Sequence, residues 1–141
     1  MSEGLEQHNE LEEGTDFAVD FGKVAAIGAA GHQVVPVVLQ DADTSEVIFI
    51  GYTNEEAYQL TLDRRSAVLF STSRGEIWHK GATSGDTLSL VDIRVNCEQN
   101  SLLYLVTRDA NGACHTKDAS GATREGCYYR SVKSAATLRF I

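Results

Sequence analysis

Three cysteines, Cys97, Cys114 and Cys127, are the residues of this 141-residue chain most open to a chemical role. They are separated by 16 and 12 residues and lack the close CxxC pairs of a structural zinc knuckle. Spacing alone leaves two readings. Buried free cysteine is a common small hydrophobe. Alternatively, three thiolates would leave tetrahedral zinc one open position, where a water becomes acidic enough to act as a nucleophile near neutral pH. The odd count argues against a disulfide framework.

Other candidates stand near them. His115 directly follows Cys114 and is either a loop histidine bonding its own backbone or a proton shuttle beside a metal-held water. Trp78 to Gly85 gathers the cation Lys80, the hydroxyls of Thr83 and Ser84, and two glycines whose backbone could approach an anion closely; a plain surface turn uses the same residues. Around Cys97, apolar and polar residues alternate from Val91 to Glu98. A strand there would put Val91, Ile93, Val95 and Cys97 on one face and Asn96 and Glu98 on the other, with Asn100 joining them if extension persists.

The elements that must position these groups read as an α+β domain, mostly antiparallel β with one well-marked helix. Val34–Gln40 and Val47–Tyr52 are β-branched runs around the turn residues 41–46, a hairpin in which Pro36 suggests an edge or strand-start position. Thr53, Asn54, Glu55 and Glu56 form a capping box with Thr53 as cap, opening a helix over about Asn54 to Arg64. Ala67–Thr72 and Gly75–Trp78 read as strands around a turn at Ser73 and Arg74, and Leu88–Asn96 with Ser101–Thr107 as a second strong hairpin.

The net charge of -8 is unevenly spread: residues 1–20 hold seven acids and no Lys or Arg, leaving 13 acids against 12 bases in the rest. Residues 1–20 are thus expected to be a flexible acidic extension and 21–141 a single domain. No basic patch supports nucleic-acid binding, and no apolar run suits a membrane span. The N-terminal residues have neither the basic start nor the apolar stretch of a secretory signal, so a cytoplasmic location is expected.

Several of these segments, in this order, resemble phosphoribosyl-AMP cyclohydrolases of histidine biosynthesis. The carrying stretches are Gln40-Asp41-Ala42, Gly51 to Ala57, Ser71 to Gly75, Trp78 to Gly85, Val95 to Leu103, Ala113 to Thr116 and Cys127 to Arg130. The resemblance implies a cyclohydrolase-like domain in an intertwined homodimer, with zinc held by Cys97 of one chain and Cys114 and Cys127 of the other. It implies hydrolytic opening of the adenine ring at the C6–N1 bond of a phosphorylated purine nucleotide, with His115 moving the proton and Arg74, Lys80, Thr83 and Ser84 on phosphates.

The family also binds magnesium through three acids, at positions occupied here by Asn96, Glu98 and Asn100. Amide oxygens are poorer magnesium ligands than carboxylates, so substrate phosphates would have to supply the missing charge. The segment from Cys114 to Cys127 is also several residues longer than the family's usual one. Two competing expectations follow from these departures: a divergent zinc hydrolase acting on another purine-like nucleotide, or a non-catalytic, zinc-stapled nucleotide-binding dimer.

Overall fold

The computed structural model describes residues 10–110 and 112–141. Val35–Asp41 (β1) and Val47–Thr53 (β2) pair antiparallel, as their β-branched composition predicts. The intervening turn is fixed by Asp41, whose Oδ1 accepts from the backbone N–H groups of Asp43 at 2.8 Å and Thr44 at 2.9 Å. Helix α1, Lys23–Ala29, precedes this hairpin, and α2, Glu55–Arg64, follows it.

The start of α2 corrects the expected cap. Asn54, with φ -102° and ψ 178°, is the N-cap, and its side chain accepts from Ala57 N–H at 2.8 Å. Thr53 is instead the last residue of β2, paired with Val35 across the ladder. Pairing to β1 thus keeps Thr53 extended and moves the cap one residue on. On the inner face of α2, Thr61 locks the helix to the next strand, its hydroxyl donating to Val68 O at 2.9 Å and accepting from Val68 N–H at 3.0 Å.

That strand is β3, Val68–Ser71, in a hairpin with β4, Glu76–His79. Next come β5, Leu88–Val95, and β6, Leu102–Arg108, an antiparallel pair. β6 then lies parallel to β1, giving one four-stranded sheet in the order β2-β1-β6-β5. Pro36 is at the start of β1, one of its two expected positions, although the parallel contact makes β1 a central strand rather than an edge. It is tolerated because pairing with β6 begins one residue later, at Val37 and Leu102. The chain closes with the short hairpin β7, Arg130–Val132, and β8, Leu138–Phe140.

Val37, Leu39, Ile48, Phe49, Leu69, Leu88, Tyr104 and Val106 fill the core over the sheet. A bulge between Leu90 and Asp92 switches the inward parity of β5, so Leu88 and Leu90 face the core before it and Ile93 packs there after it. Val91, the bulged residue, and Val95 beyond it stay half exposed. No helix among the described residues is long and apolar enough to cross a membrane.

Candidate active site

Two of the three cysteines come together. Cys114, buried, and Cys127, exposed, lie with their sulfurs 3.5 Å apart. That is too far for a disulfide of about 2.05 Å. It is close to the edge of about 3.8 Å expected for two thiolates on tetrahedral zinc with bonds of about 2.3 Å. Cys127 is fixed through its backbone, its N–H donating to Ile48 O at 2.8 Å. Gly126 permits this approach, since a Cβ there would meet the Ile48 carbonyl oxygen at 2.9 Å. Cys114 Sγ lies 3.1 Å from Thr116 Oγ1.

Cys127 Sγ donates to Cys114 Sγ. Donation from Cys127 lowers the Cys114 thiol to about 5, and the same bond holds the Cys127 proton more tightly, pushing that thiol up. Lys80 is buried beside this pair and donates to Asp86 O at 2.9 Å. Burial lowers its pKa, opposed by the charges of Asp86, Cys127 and Cys114. The loop beyond Lys80 depends on Gly81, whose φ of +77° disfavours any side chain and whose Cβ would run into the Asp86 backbone. Thr83 and Ser84 sit exposed on that loop, Ser84 Oγ accepting from Asp86 N–H at 3.3 Å.

His115 is exposed at the same end, its Nε2 2.9 Å from Glu12 Oε2. Reasoning from sequence missed this partner, and it missed the pairing of Arg124 with Glu13 at 2.6 Å and 2.9 Å. Those two residues are 111 positions apart, so no local spacing could reveal the pair. The only signal was an acid-rich segment in a chain whose remainder is nearly neutral.

Cys97 is elsewhere. Cys97 is in the turn beyond the Val95–Leu102 end of the β5–β6 hairpin, whereas the segment carrying Cys114 and Cys127 follows β6 beyond its Leu88–Arg108 end. Among the described residues no three His, Cys, Asp or Glu side chains gather into a metal site. The strand also stops sooner than alternation suggested, at Val95, and residues 96–100 form a turn closed by Ser101.

Asn96, Glu98 and Asn100 still converge, but through the turn. Asn96 Oδ1 accepts from the N–H groups of Asn100 and Ser101 at 2.9 and 3.0 Å, and Asn96 Nδ2 donates to Asn100 Oδ1 at 2.7 Å. Asn100 Nδ2 in turn donates to Glu98 Oε2 at 3.3 Å. An apolar-walled cavity of about 460 Å³ opens beside this turn, lined by Gln33, Thr53, Asn54, Tyr58, Gln99 and Leu102 among others. Arg74 is in the β3–β4 turn next to Gly75, which lies beside His32, and it bonds Ser71 Oγ and Glu76.

The candidates therefore form two groups. Cys114, Cys127, His115, Lys80, Thr83 and Ser84 occupy one end of the sheet; Asn96, Cys97, Glu98 and Asn100, with Arg74 toward the same side, occupy the other.

Residues 49–129 match the family model described as phosphoribosyl-AMP cyclohydrolase. The chain is 40% identical over 119 residues to the phosphoribosyl-AMP cyclohydrolase of Nitratidesulfovibrio vulgaris, covering 84% of each chain. It is 43% identical over 100 residues to that of Archaeoglobus fulgidus, covering 71% of this chain and 86% of the relative. A histidine biosynthesis bifunctional protein of Aquifex aeolicus is 36% identical over 100 residues, which are 71% of this chain and 46% of that protein. A match across more than half the chain, carrying both groups of candidate residues, leaves one assignment: this chain belongs to the phosphoribosyl-AMP cyclohydrolase family and is an enzyme of histidine biosynthesis.

Proposed function

We propose that the enzyme opens the adenine ring of phosphoribosyl-AMP by zinc-dependent hydrolysis of the C6–N1 bond, at sites shared between the two chains of a homodimer. One observation carries the reading: the candidate ligands are split between opposite ends of a single sheet. A two-fold arrangement that apposes the Cys97 end of one chain to the Cys114–Cys127 end of another would complete two equivalent sites at once. The half-exposed Val91 and Val95, on the sheet-edge strand β5 near Cys97, give such a contact an apolar surface.

Cys114 and Cys127 fit zinc by donor type and sulfur separation, and Cys97 of the second chain would be the third ligand. When bound, zinc supplies Lewis acidity and a water reactive near neutral pH. The protein's residues do the rest. His115, adjacent to Cys114 and with Nε2 facing the Glu12 carboxylate at 2.9 Å, accepts the proton of the attacking water at Nδ1. Water adds at C6, the C6–N1 bond breaks, and the departing nitrogen is protonated. Lys80, Thr83 and Ser84 from one chain and Arg74 from either bind phosphates, with Lys80 also compensating thiolate charge.

Magnesium has a weak foothold. Both amide oxygens of Asn96 and Asn100 already accept hydrogen bonds inside the turn, so Glu98 alone offers a charged oxygen, and the ion would be completed by substrate phosphate. The test of the main reading is turnover of phosphoribosyl-AMP with metal content measured on the same sample. One zinc per chain and ring opening are expected, and Cys127→Ser should lose both, because a neutral, harder hydroxyl replaces a thiolate. Full zinc and full activity in Cys127→Ser would reject the ligand set. Zinc-loaded protein that binds but never opens the nucleotide would favour a non-catalytic dimer.

A further inference from the structure

We propose that Glu13 and Arg124 are positioning residues of the metal end, the N-terminal segment clamping the Cys114–Cys127 loop through Arg124, whose main chain holds Cys114 in place. The inference rests on the reading of Cys114 and Cys127 as zinc ligands. The loop between them has little regular structure of its own, apart from a bridge between Lys117 and Thr123. A segment of this kind must be fixed from outside if its ends are to stay poised for one ion.

Arg124 does this on two sides. Its carbonyl accepts from the N–H groups of Ala113 and Cys114, both at 3.0 Å, and its own N–H donates to Thr116 O at 3.1 Å. Its side chain, only 11% exposed, pairs with both carboxylate oxygens of Glu13 at 2.6 and 2.9 Å and stacks 3.9 Å above the Tyr129 ring. Bidentate pairing fixes direction as well as distance, unlike a single-point surface contact. The Arg124 hydrogen bond also holds the Glu13 carboxyl below its ordinary range, so Glu13 stays ionised.

Glu13 is itself tethered. Tyr129 Oη donates to Glu12 O at 2.6 Å, and Arg130 donates to Leu11 O at 2.8 Å and Gly14 O at 2.9 Å. The segment then joins the closing hairpin, Leu138 N–H donating to Thr15 O at 2.7 Å and Phe17 N–H to Ala136 O at 2.9 Å. Glu13 lies before, and β7–β8 after, the matched residues 49–129. The Glu13 side of the clamp thus lies outside the residues the family model matches, and the Arg124 side lies within them.

The test follows full-length wild type, Glu13→Gln, Arg124→Gln and the double variant by two readouts: release of zinc to a chelator, and amide exchange at Ala113 and Cys114 in metal-stripped protein. Exchange at Leu39 and Val106 serves as the control for the fold. Glu13→Gln should speed zinc release about tenfold, the low end for residues that support metal ligands from behind, and speed exchange at Ala113 and Cys114 with the controls unchanged. The double variant should be no worse than Arg124→Gln, since the two residues act through one contact. Unchanged release and exchange in Glu13→Gln would overturn the proposal. So would faster turnover with unaltered zinc retention, which would make the acidic segment a competitor for substrate phosphate. Wild type that holds no zinc would instead reject the ligand assignment, while the exchange arm would still report on the clamp.

Discussion

Asn96 and Asn100, two positions where the resemblance implies metal-binding acids, have their amides spent on each other and on the turn backbone. Titrating substrate-free protein with magnesium in a calorimeter should therefore give no saturable binding. Asn96→Asp with Asn100→Asp should create a site, because three carboxylates would then converge on one turn. Tight binding by the unaltered protein, lost in Glu98→Gln, would mean that a single carboxylate suffices and the charge argument is wrong. Residue identities made this departure readable in the sequence. What they hid was the geometry: alternation implied a continuing strand, whereas the backbone bonds of Asn96, Gln99 and Ser101 end it at Val95. The partners of His115 and Arg124 were hidden for a different reason, since contacts across more than a hundred residues leave no local pattern.

At the scale of elements, strong alternation and β-branched runs made β1, β2, β3, β4, β5, β6 and helix α2 legible. The rest lacked such signals. Helix α1 is built from Lys23-Val24-Ala25-Ala26-Ile27-Gly28-Ala29, buries only Ile27, and has no side-chain cap. Strands β7 and β8 have three residues each, too short to show a period. The parallel join of β1 to β6 is a tertiary choice that neither strand's sequence encodes. It brings Arg108 against Asp41, Nε to Oδ2 at 3.2 Å, with both side chains 11% exposed. Hydrogen bonds from Thr44 and Asp43, with help from Arg108, lower the Asp41 pKa from its ordinary 3.8. A depressed carboxylate contributes stability above its unfolded value and loses it as pH falls through the folded one. Asp41→Asn should thus cost about 2 kcal/mol at neutral pH in urea denaturation, with the difference from wild type closing as pH falls below the ordinary 3.8 and through the lowered folded value. A difference that did not change with pH would show that shape, not charge, is what Asp41 contributes.

At the scale of the whole molecule, the candidate residues stand toward the two ends of one sheet. Lys80 and the thiol pair at one pole, and the Cys97 turn with its adjoining cavity at the other, are held apart by the length of β5 and β6. The resemblance divides the expected ligands between two chains; what motif order could not supply is that β5 and β6 are the elements separating the two groups within one chain. The direct test mixes inactive Cys97→Ser chains with inactive Cys114→Ser chains under conditions where subunit exchange is shown by mass. Half the dimers should be mixed, each with one intact site and one doubly broken, so turnover should recover to about one quarter of wild type. No recovery of turnover despite demonstrated exchange would contradict a site shared between chains.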